Sequence, residues 1–188
     1  LCFNIGGILS QLDYKVLVID GDLQGNLTNN MGIDRTREGL LTTYEIYNID
    51  EQQPDPEALV YRSPIDRLPN LDMIAGSIFL HKAELKIASV AGREQILSNY
   101  LNDHRDFFEQ YDYLLIDTNP SMSIVNQNAF LAADAILLVS DVSMNAISFS
   151  LRSGKMPANV CAERITSVVS SSTIMTPATK FLPISSNI

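Results

Sequence analysis

The stretch KVLVIDGDLQGN at residues 15–26 decides the fold. Its apolar part, Val16 to Ile19, ends at Asp20, and a loop of small and polar residues follows directly. A short continuous apolar run of this kind is typical of a parallel strand that is buried on both faces. The stretch YLLIDTNPS at residues 113–121 has the same arrangement, with an aspartate at the end of its apolar run. Two buried parallel strands, each ending in an acid, are therefore predicted.

The remaining apolar patterns predict a regular alternation of strands and helices. Two more strands are predicted at residues 135–140 and 71–75. The predicted helices are residues 1–12, 40–47, 78–90, 92–109 and 123–132. The first helix is expected to bury an apolar stripe made of Phe3, Ile5, Ile8, Leu9 and Leu12. Alternation of this kind predicts an α/β fold, with a mostly parallel sheet and helices on both faces.

The composition of the chain limits the classes of function. The chain has 188 residues, 46% of them apolar, and a formal net charge of −9. This acidic balance argues against a chain whose main role is to neutralise DNA phosphates. No apolar run approaches the roughly 18 residues of a transmembrane helix, so no transmembrane segment is predicted. Cys2 and Cys161 form neither a disulfide framework nor a metal-ligand pattern, which favours a reduced, cytoplasmic setting.

The pattern of strands and helices covers residues 1–150 and stops there. Residues 151–188 hold the run SSST at residues 170–173 and lack a clear apolar period. Such a composition is typical of a loosely ordered tail. We therefore expect a core at residues 1–150 and a divergent, Ser/Thr-rich, poorly ordered tail at residues 151–188. Because the chain opens on Leu1 rather than Met, we also expect it to be a fragment of a longer protein.

Acidic side chains stand where ligands bind in sheets of this type, which is outside the carboxyl ends of the strands. Asp20 and Asp22 follow the first strand, and Asp117 ends the second. Mg²⁺ prefers oxygen ligands and keeps several waters, so converging carboxylates suit a hydrated Mg²⁺ ion that carries phosphates. One aspartate alone at a strand end is equally compatible with capping the next helix or turn. The acids taken together favour a metal and phosphate site.

Three motifs connect the chain with a known family. Residues 20–26 read DGDLQGN, residues 111–121 read YDYLLIDTNPS, and residues 128–134 read NAFLAAD. These blocks, in this order and at this spacing, resemble the ParA/MinD group of deviant P-loop ATPases, and specifically its ParA/Soj partition branch. The resemblance covers roughly residues 1–150. It implies a P-loop NTPase-like fold, ATP and Mg²⁺ as cofactors, and Mg-ATP-dependent switching in plasmid or chromosome partitioning.

The resemblance also implies a role for each motif residue. Asp22 would be catalytic, near the γ-phosphate and the attacking water, and Asp20 would support the same catalytic site. Asp117 would hold the Mg²⁺ ion through a water molecule. The other positions expected to bind the cofactor are Gln24, Asn26, Thr118, Pro120 and Ser121. Catalysis of this kind works by positioning and by charge stabilisation around Mg²⁺.

The expected partners follow from the same resemblance. An intact family member would form a nucleotide-dependent homodimer, bind DNA without sequence preference and work with a DNA-bound partition partner protein. It would lie in the cytoplasm, associated with the nucleoid. Two alternatives stay open: a MinD-like, membrane-associated ATPase regulator, and a degenerate, non-catalytic pseudo-ATPase.

The chain departs from the family pattern at its start. The phosphate loop K-G-G-x-G-K-T, which precedes the first helix in the family, does not occur in the sequence. Its backbone amides and lysines bind the phosphates, so we expect this chain alone to bind ATP poorly and to show no measurable ATPase activity. A smaller departure is Asn119, which replaces the first residue of the usual Pro-Pro pair.

Overall fold

The computed structural model describes residues 1–137 and 172–177. Its helices are α1 (Cys2–Gln11), α2 (Asn26–Asn30), α3 (Thr43–Tyr47), α4 (Pro56–Leu59), α5 (Leu80–Ile87), a 3-10 turn (Arg93–Gln95), α6 (Ile96–Asp103), α7 (Arg105–Phe108) and α8 (Ile124–Ala132). Its strands are β1 (Val16–Asp20), β2 (Val60–Tyr61), β3 (Leu71–Ile74), β4 (Tyr113–Thr118), β5 (Ala135–Leu137) and β6 (Ser172–Pro177). Within these ranges, no helix has the length and apolar character of a bilayer-spanning segment.

The strands form one mixed sheet in the order β2-β3-β1-β4-β6-β5. Strand β1 lies parallel to both β3 and β4. Strand β2 is antiparallel to β3, and β6 is antiparallel to β4 and to β5. Strand β5 therefore runs in the same direction as β4. The α/β fold predicted from the sequence is confirmed, and β1, β3, β4 and β5 share one direction.

Apolar side chains cover both faces of the central strands. Val16 and Val18 of β1 pack on one face together with residues of α1 and α2. Leu17 and Ile19 pack on the opposite face with residues of α3, α5, α6 and α8. A strand covered on both faces needs an apolar residue at every position, which explains the uninterrupted run in the sequence. The run ends at Asp20, where the carboxyl edge of the sheet begins.

Helix α1 buries part of the predicted stripe: Phe3, Ile5 and Leu9 are half-buried and pack against the core. Its buried residues are Cys2, Gly6 and Ser10. Ile8 and Leu12, expected in the core, are 58% and 62% exposed. The reason is a close approach between the helix and the sheet, because a Cβ on Gly6 would lie only 2.9 Å from Cδ1 of Leu71. Small residues therefore face the sheet, and the prediction was wrong for these two side chains.

Two other sequence predictions differ from the structure, and a third is only partly covered by the described residues. The helix predicted at residues 92–109 is divided into a 3-10 turn, α6, which ends at Asp103, and α7. Gly92, with a φ of 72°, comes before these segments and separates them from α5. The strand predicted at residues 135–140 is described as far as Leu137, and its last part lies outside the described residues. Strand β6 lies in the segment for which the sequence indicates no strand, although its Thr and Ile residues have high strand propensity. The rest of that predicted tail lies outside the described residues.

Candidate functional site

Asp20 and Asp117 lie side by side at the carboxyl edge of the sheet. They are partners in the register of β1 and β4. Gly21 follows Asp20, and its N–H donates to the backbone oxygen of Asp117 over 2.9 Å. A Cβ on Gly21 would also lie 2.9 Å from that oxygen. Only glycine fits at position 21, where the loop after β1 passes close to the backbone of β4. The structure thus brings together two acids, Asp20 and Asp117, that are far apart in the sequence.

The side chain of Asp20 is fully buried and organises the loop that follows β1. Its Oδ2 accepts hydrogen bonds from the backbone N–H and the hydroxyl of Thr28, over 2.9 and 2.5 Å. Its Oδ1 accepts the backbone N–H of Asp22 over 3.1 Å. Burial raises the pKa of the Asp20 carboxyl group, and the hydrogen bonds from Thr28 oppose that rise. Thr28 in turn accepts the N–H of Gly76 over 2.8 Å, which ties the loop to the end of β3.

The loop at residues 22–25 is closed by a tight turn and by an arginine. Asp22 Oδ1 accepts the N–H of Gln24 over 3.0 Å, and Gly25 adopts a φ of 62°. The guanidinium group of Arg35 donates to the backbone oxygens of Leu23, over 2.8 Å, and Gln24. Sequence reasoning missed Arg35, because its partners lie 11 and 12 residues away and no local motif marks such a contact.

A cavity of about 250 Å³ opens at this edge of the sheet. Its lining residues are Leu1, Cys2, Phe3, Asp22, Asn26, Leu27, Asn30, Asp117, Thr118, Asn119 and Pro120. Of the predicted site residues, the structure thus places Asp22, Asn26, Asp117, Thr118 and Pro120 around one space. Asp20 lies buried beneath it. Gln24 and Ser121 are exposed and do not line the cavity.

Asp117 is the acid of the strand-end pair that reaches the cavity. Burial raises the pKa of its carboxyl group from 3.8 to about 6, with smaller contributions from the charges of Asp20 and Asp22. The N-terminal ammonium group of the chain opposes this rise. A cation close to such a carboxylate would favour its charged form. The electrostatics of the site therefore favour a bound cation.

The second loop of the cavity, residues 119–121, is held by Asn126 of α8. The side-chain Nδ2 of Asn126 lies 2.7 Å from the backbone oxygen of Asn119 and 2.7 Å from that of Ser121. Ser123 caps α8, since its hydroxyl accepts the backbone N–H of Asn126 over 3.2 Å. Sequence reasoning missed Asn126, which reads as one more polar residue within a helix.

The chemistry of the lining suits Mg²⁺. Carboxylate, amide and hydroxyl oxygens are the ligands that this ion prefers, directly or through water. Helix α1 begins at the cavity without a side-chain cap, so its first backbone N–H groups and the positive end of its dipole favour an anion there. Among the residues that the structure describes, no lysine or arginine lines the cavity. The lining residues are therefore suited to bind Mg²⁺. They are suited to bind phosphate groups when Mg²⁺ is bound as well, since the ion supplies the positive charge.

Comparison with known proteins places the chain in a family. Residues 1–151 match the family model AAA_31, described as an AAA domain. The chromosome partitioning protein ParA of Caulobacter vibrioides is 33% identical over 135 residues, which cover 72% of this chain and 48% of ParA. McdA of Cyanothece has a similar structure, with a TM-score of 0.68 and 26% identity over 81% of this chain and 56% of McdA. Cobyrinic acid a,c-diamide synthase of Mycobacterium smegmatis, solved with an ATP analogue and magnesium, has a TM-score of 0.64 and 26% identity over 79% of this chain and 57% of the synthase.

The matched region contains all of the described residues that line the cavity. The chain spans about half the length of the curated ParA protein that it matches. The family model covers most of the chain, and the fold of the chain is similar to that of the solved structures. The chain therefore belongs to the AAA domain family, as a member of the ParA-type P-loop ATPases.

Proposed function

We propose that the strand-end cavity binds the phosphate end of Mg-ATP, and that the chain is the switching core of a ParA-type partition ATPase. One observation carries the proposal: Asp22 and Asp117, from two loops far apart in the sequence, line the same polar cavity beside the start of α1. Each loop leaves the end of one of two adjacent strands, so a ligand that touches both can change their relative position. The ATP analogue and magnesium in the Mycobacterium smegmatis structure support this choice of ligand.

The acids have different tasks in this proposal. Asp117 lines the cavity and would hold Mg²⁺ through a water molecule. The charge of the ion would stabilise the ionised form of this carboxyl group, whose pKa is raised by burial and by the neighbouring acids. When bound, the ion neutralises phosphate oxygens. Asp22 lines the cavity and orients the attacking water. Asp20 is buried and acts on Asp22 by accepting its backbone N–H, so it positions the catalytic loop without touching the nucleotide.

The other predicted positions divide by their place around the cavity. Asn26, Thr118 and Pro120 line it and are proposed to contact the nucleotide. Gln24 and Ser121 lie just outside the lining and are proposed to reach the nucleotide only after the loops move. In this proposal, nucleotide binding at the lining residues is coupled to a movement of the loops that brings Gln24 and Ser121 to the nucleotide.

For the intact protein we propose the family's partition cycle. The name of the ParA relative, a chromosome partitioning protein, supports this role. Its elements are a nucleotide-dependent homodimer, non-specific DNA binding and a DNA-bound partner protein, on the nucleoid. Because the net charge of this chain is −9, DNA phosphates repel it on average. Appreciable DNA binding is therefore not expected of these 188 residues by themselves.

The 188 residues by themselves are expected to bind Mg-ATP weakly and to show no measurable turnover. The sequence has no K-G-G-x-G-K-T loop, and the described part of the cavity lining has no lysine or arginine. Within the described residues, phosphate charge is then balanced by Mg²⁺ and by the start of α1. Turnover comparable to that of a full-length family member would contradict this expectation.

Equilibrium binding of a fluorescent ATP analogue, with and without Mg²⁺, tests the proposed site. We expect binding that requires Mg²⁺, and a loss of about tenfold in affinity in Asp22→Asn and in Asp117→Asn. The matched control is Asp66→Asn, which changes an exposed aspartate away from the cavity and should leave binding unchanged.

The possible results separate the alternatives. Binding that ignores Mg²⁺ and tolerates both cavity substitutions would contradict the proposed site. Absence of any nucleotide binding would favour the degenerate pseudo-ATPase. Retention of the chain on liposomes would favour the MinD-like regulator.

A further inference from the structure

We propose that Asn126 is a positioning residue that holds the loop at residues 119–121 in one of two positions at the edge of the cavity. The inference rests on the proposed function, because the loop contributes Asn119 and Pro120 to the lining. Asn126 lies in the first turn of α8 and is 0% exposed. It is anchored in the body of the protein, while the loop that it holds is the part that meets a ligand.

The side-chain amide of Asn126 has more acceptors around it than hydrogens. Its Nδ2 lies 2.7 Å from the backbone oxygen and 2.9 Å from Oδ1 of Asn119. It also lies 2.7 Å from the backbone oxygen and 3.3 Å from the hydroxyl of Ser121. One amide group carries two N–H hydrogens, so it satisfies two of these acceptors well at a time. The loop can therefore shift between acceptors without leaving the amide group unpaired.

The acceptor atom of the same amide is unused in this position of the loop. Among the described residues, the buried Oδ1 of Asn126 has no hydrogen-bond donor. A buried polar atom without a partner is unfavourable, so a loop position that supplies a donor gains a hydrogen bond that the present one lacks. Asn126 thus offers donors to one position of the loop and an acceptor to another, as a two-position switch requires.

Asn128, two residues further along α8, provides the contrast. It is also 0% exposed, but its side chain accepts the N–H of Leu97 over 3.0 Å and donates to the backbone oxygens of Arg93 and Ile124. These partners join α8 to the 3-10 turn and to α6. Asn128 therefore stabilises the packing of helices and has no bond to the loop, which makes it a matched control.

Backbone ¹⁵N relaxation of the loop amides in the 188-residue chain tests the proposal without nucleotide. Asn126→Leu keeps the approximate size of the side chain and removes both donors. We expect the order parameters of Asn119, Ser121 and Met122 to fall from about 0.85 to below about 0.6, the values of rigid and flexible backbone. Asn128→Leu is expected to lower the urea midpoint and to leave these order parameters unchanged. Asn126→Ala gives the same comparison if the leucine variant does not fold.

Nucleotide binding by the same variants then tests the link to the cavity. Asn126→Leu is expected to lose about fivefold or more in affinity for Mg-ATP, and less for Mg-ADP. Unchanged loop order parameters in Asn126→Leu would overturn the proposal. An equal fall in Asn128→Leu would also overturn it, since the effect would then be a general loss of stability. If no variant and no parent chain binds nucleotide, the proposed function fails, while the relaxation data still decide whether Asn126 holds the loop.

Discussion

Replacement of Asp117 by asparagine is expected to stabilise the chain at neutral and alkaline pH. Burial, reinforced by the charges of Asp20 and Asp22, raises the pKa of the Asp117 carboxyl group from 3.8 to about 6. This group therefore binds its proton more tightly in the folded state than in the unfolded chain, and its ionisation opposes folding. The protonated Asp117 carboxyl group contributes its full stability below its pKa in the unfolded chain, which is about 4. That stability is lost as the pH rises through about 6.

The size of the effect follows from the size of the shift. A pKa difference of about two units corresponds to about 3 kcal/mol once the carboxyl group is ionised in both states. Asp117 lines an open cavity, so water screens part of this energy, and the gain in Asp117→Asn is expected to be about 1–3 kcal/mol at pH 8. For a chain of this length, about 1 kcal/mol moves the melting temperature by about 2–4 °C. Near pH 4 the carboxyl group is neutral in the folded state, and the gain should approach zero.

Urea unfolding followed by far-ultraviolet circular dichroism, near pH 8, pH 6 and pH 4.5, measures this gain. Asp66→Asn changes an exposed aspartate and is expected to stay within about 0.5 kcal/mol of the parent at every pH. A gain that persists undiminished at the lowest pH, or no gain at the highest, would refute the reasoning. Asp117→Asn should also bind Mg-ATP less well than the parent chain, so its stability and its nucleotide affinity are expected to change in opposite directions.

Three further substitutions test the surroundings of the site and the opposite edge of the sheet, each by urea unfolding. Gly25→Ala puts a Cβ at a φ of 62° and within 2.1 Å of Cζ of Arg35, so the free energy of unfolding should fall by about 1–3 kcal/mol. Thr28→Val keeps the size of the side chain but removes the hydroxyl that donates to Asp20 over 2.5 Å, with an expected loss of about 2–3 kcal/mol. Asp72→Ala leaves a guanidinium group, a tyrosine hydroxyl and a backbone N–H without their shared acceptor, with an expected loss of about 2–4 kcal/mol.

These predictions have a matched control in the same loop region. Thr36 is exposed, and its hydroxyl bonds only locally, to Asp34 over 2.7 Å. Thr36→Val should therefore change stability by less than about 0.5 kcal/mol. If Thr28→Val were no worse than Thr36→Val, the bond to the buried carboxylate would carry no measurable stability. If Gly25→Ala unfolded at the same urea concentration as the parent, Arg35 would be able to move away from the new Cβ without cost. If Asp72→Ala did so, water would be replacing the lost carboxylate acceptor.

Local pattern was sufficient to predict the scaffold of the site. Two apolar runs, which end at Asp20 and at Asp117, each indicate a strand that is buried on both faces. This prediction does not depend on the rest of the sequence. Two parallel neighbours end at the same edge of a sheet, so the convergence of the two acids followed from the class of fold. The α/β class, the main strands and the family resemblance were all accessible in this way.

Other features depend on contacts between segments that the sequence does not mark as neighbours. The sequence treats Asp20 and Asp117 alike, but tertiary structure buries the first beneath Thr28 and leaves the second facing the cavity. The face of α1 that meets the sheet was set by Gly6, since close backbone approach outweighed the burial of larger apolar side chains.

The sequence by itself determined the two central strands, their acidic ends and the class of protein, because continuous apolar runs and loop motifs are local properties of the chain. Only the tertiary structure decided which acid reaches the cavity and which side chains hold the two loops. Arg35 and Asn126 are ordinary polar residues in the sequence, and they gain their roles from carbonyl oxygens that the path of the backbone brings within hydrogen-bond distance. Hydrogen bonds are short-ranged and directional, so their partners are fixed by the folded geometry rather than by residue type.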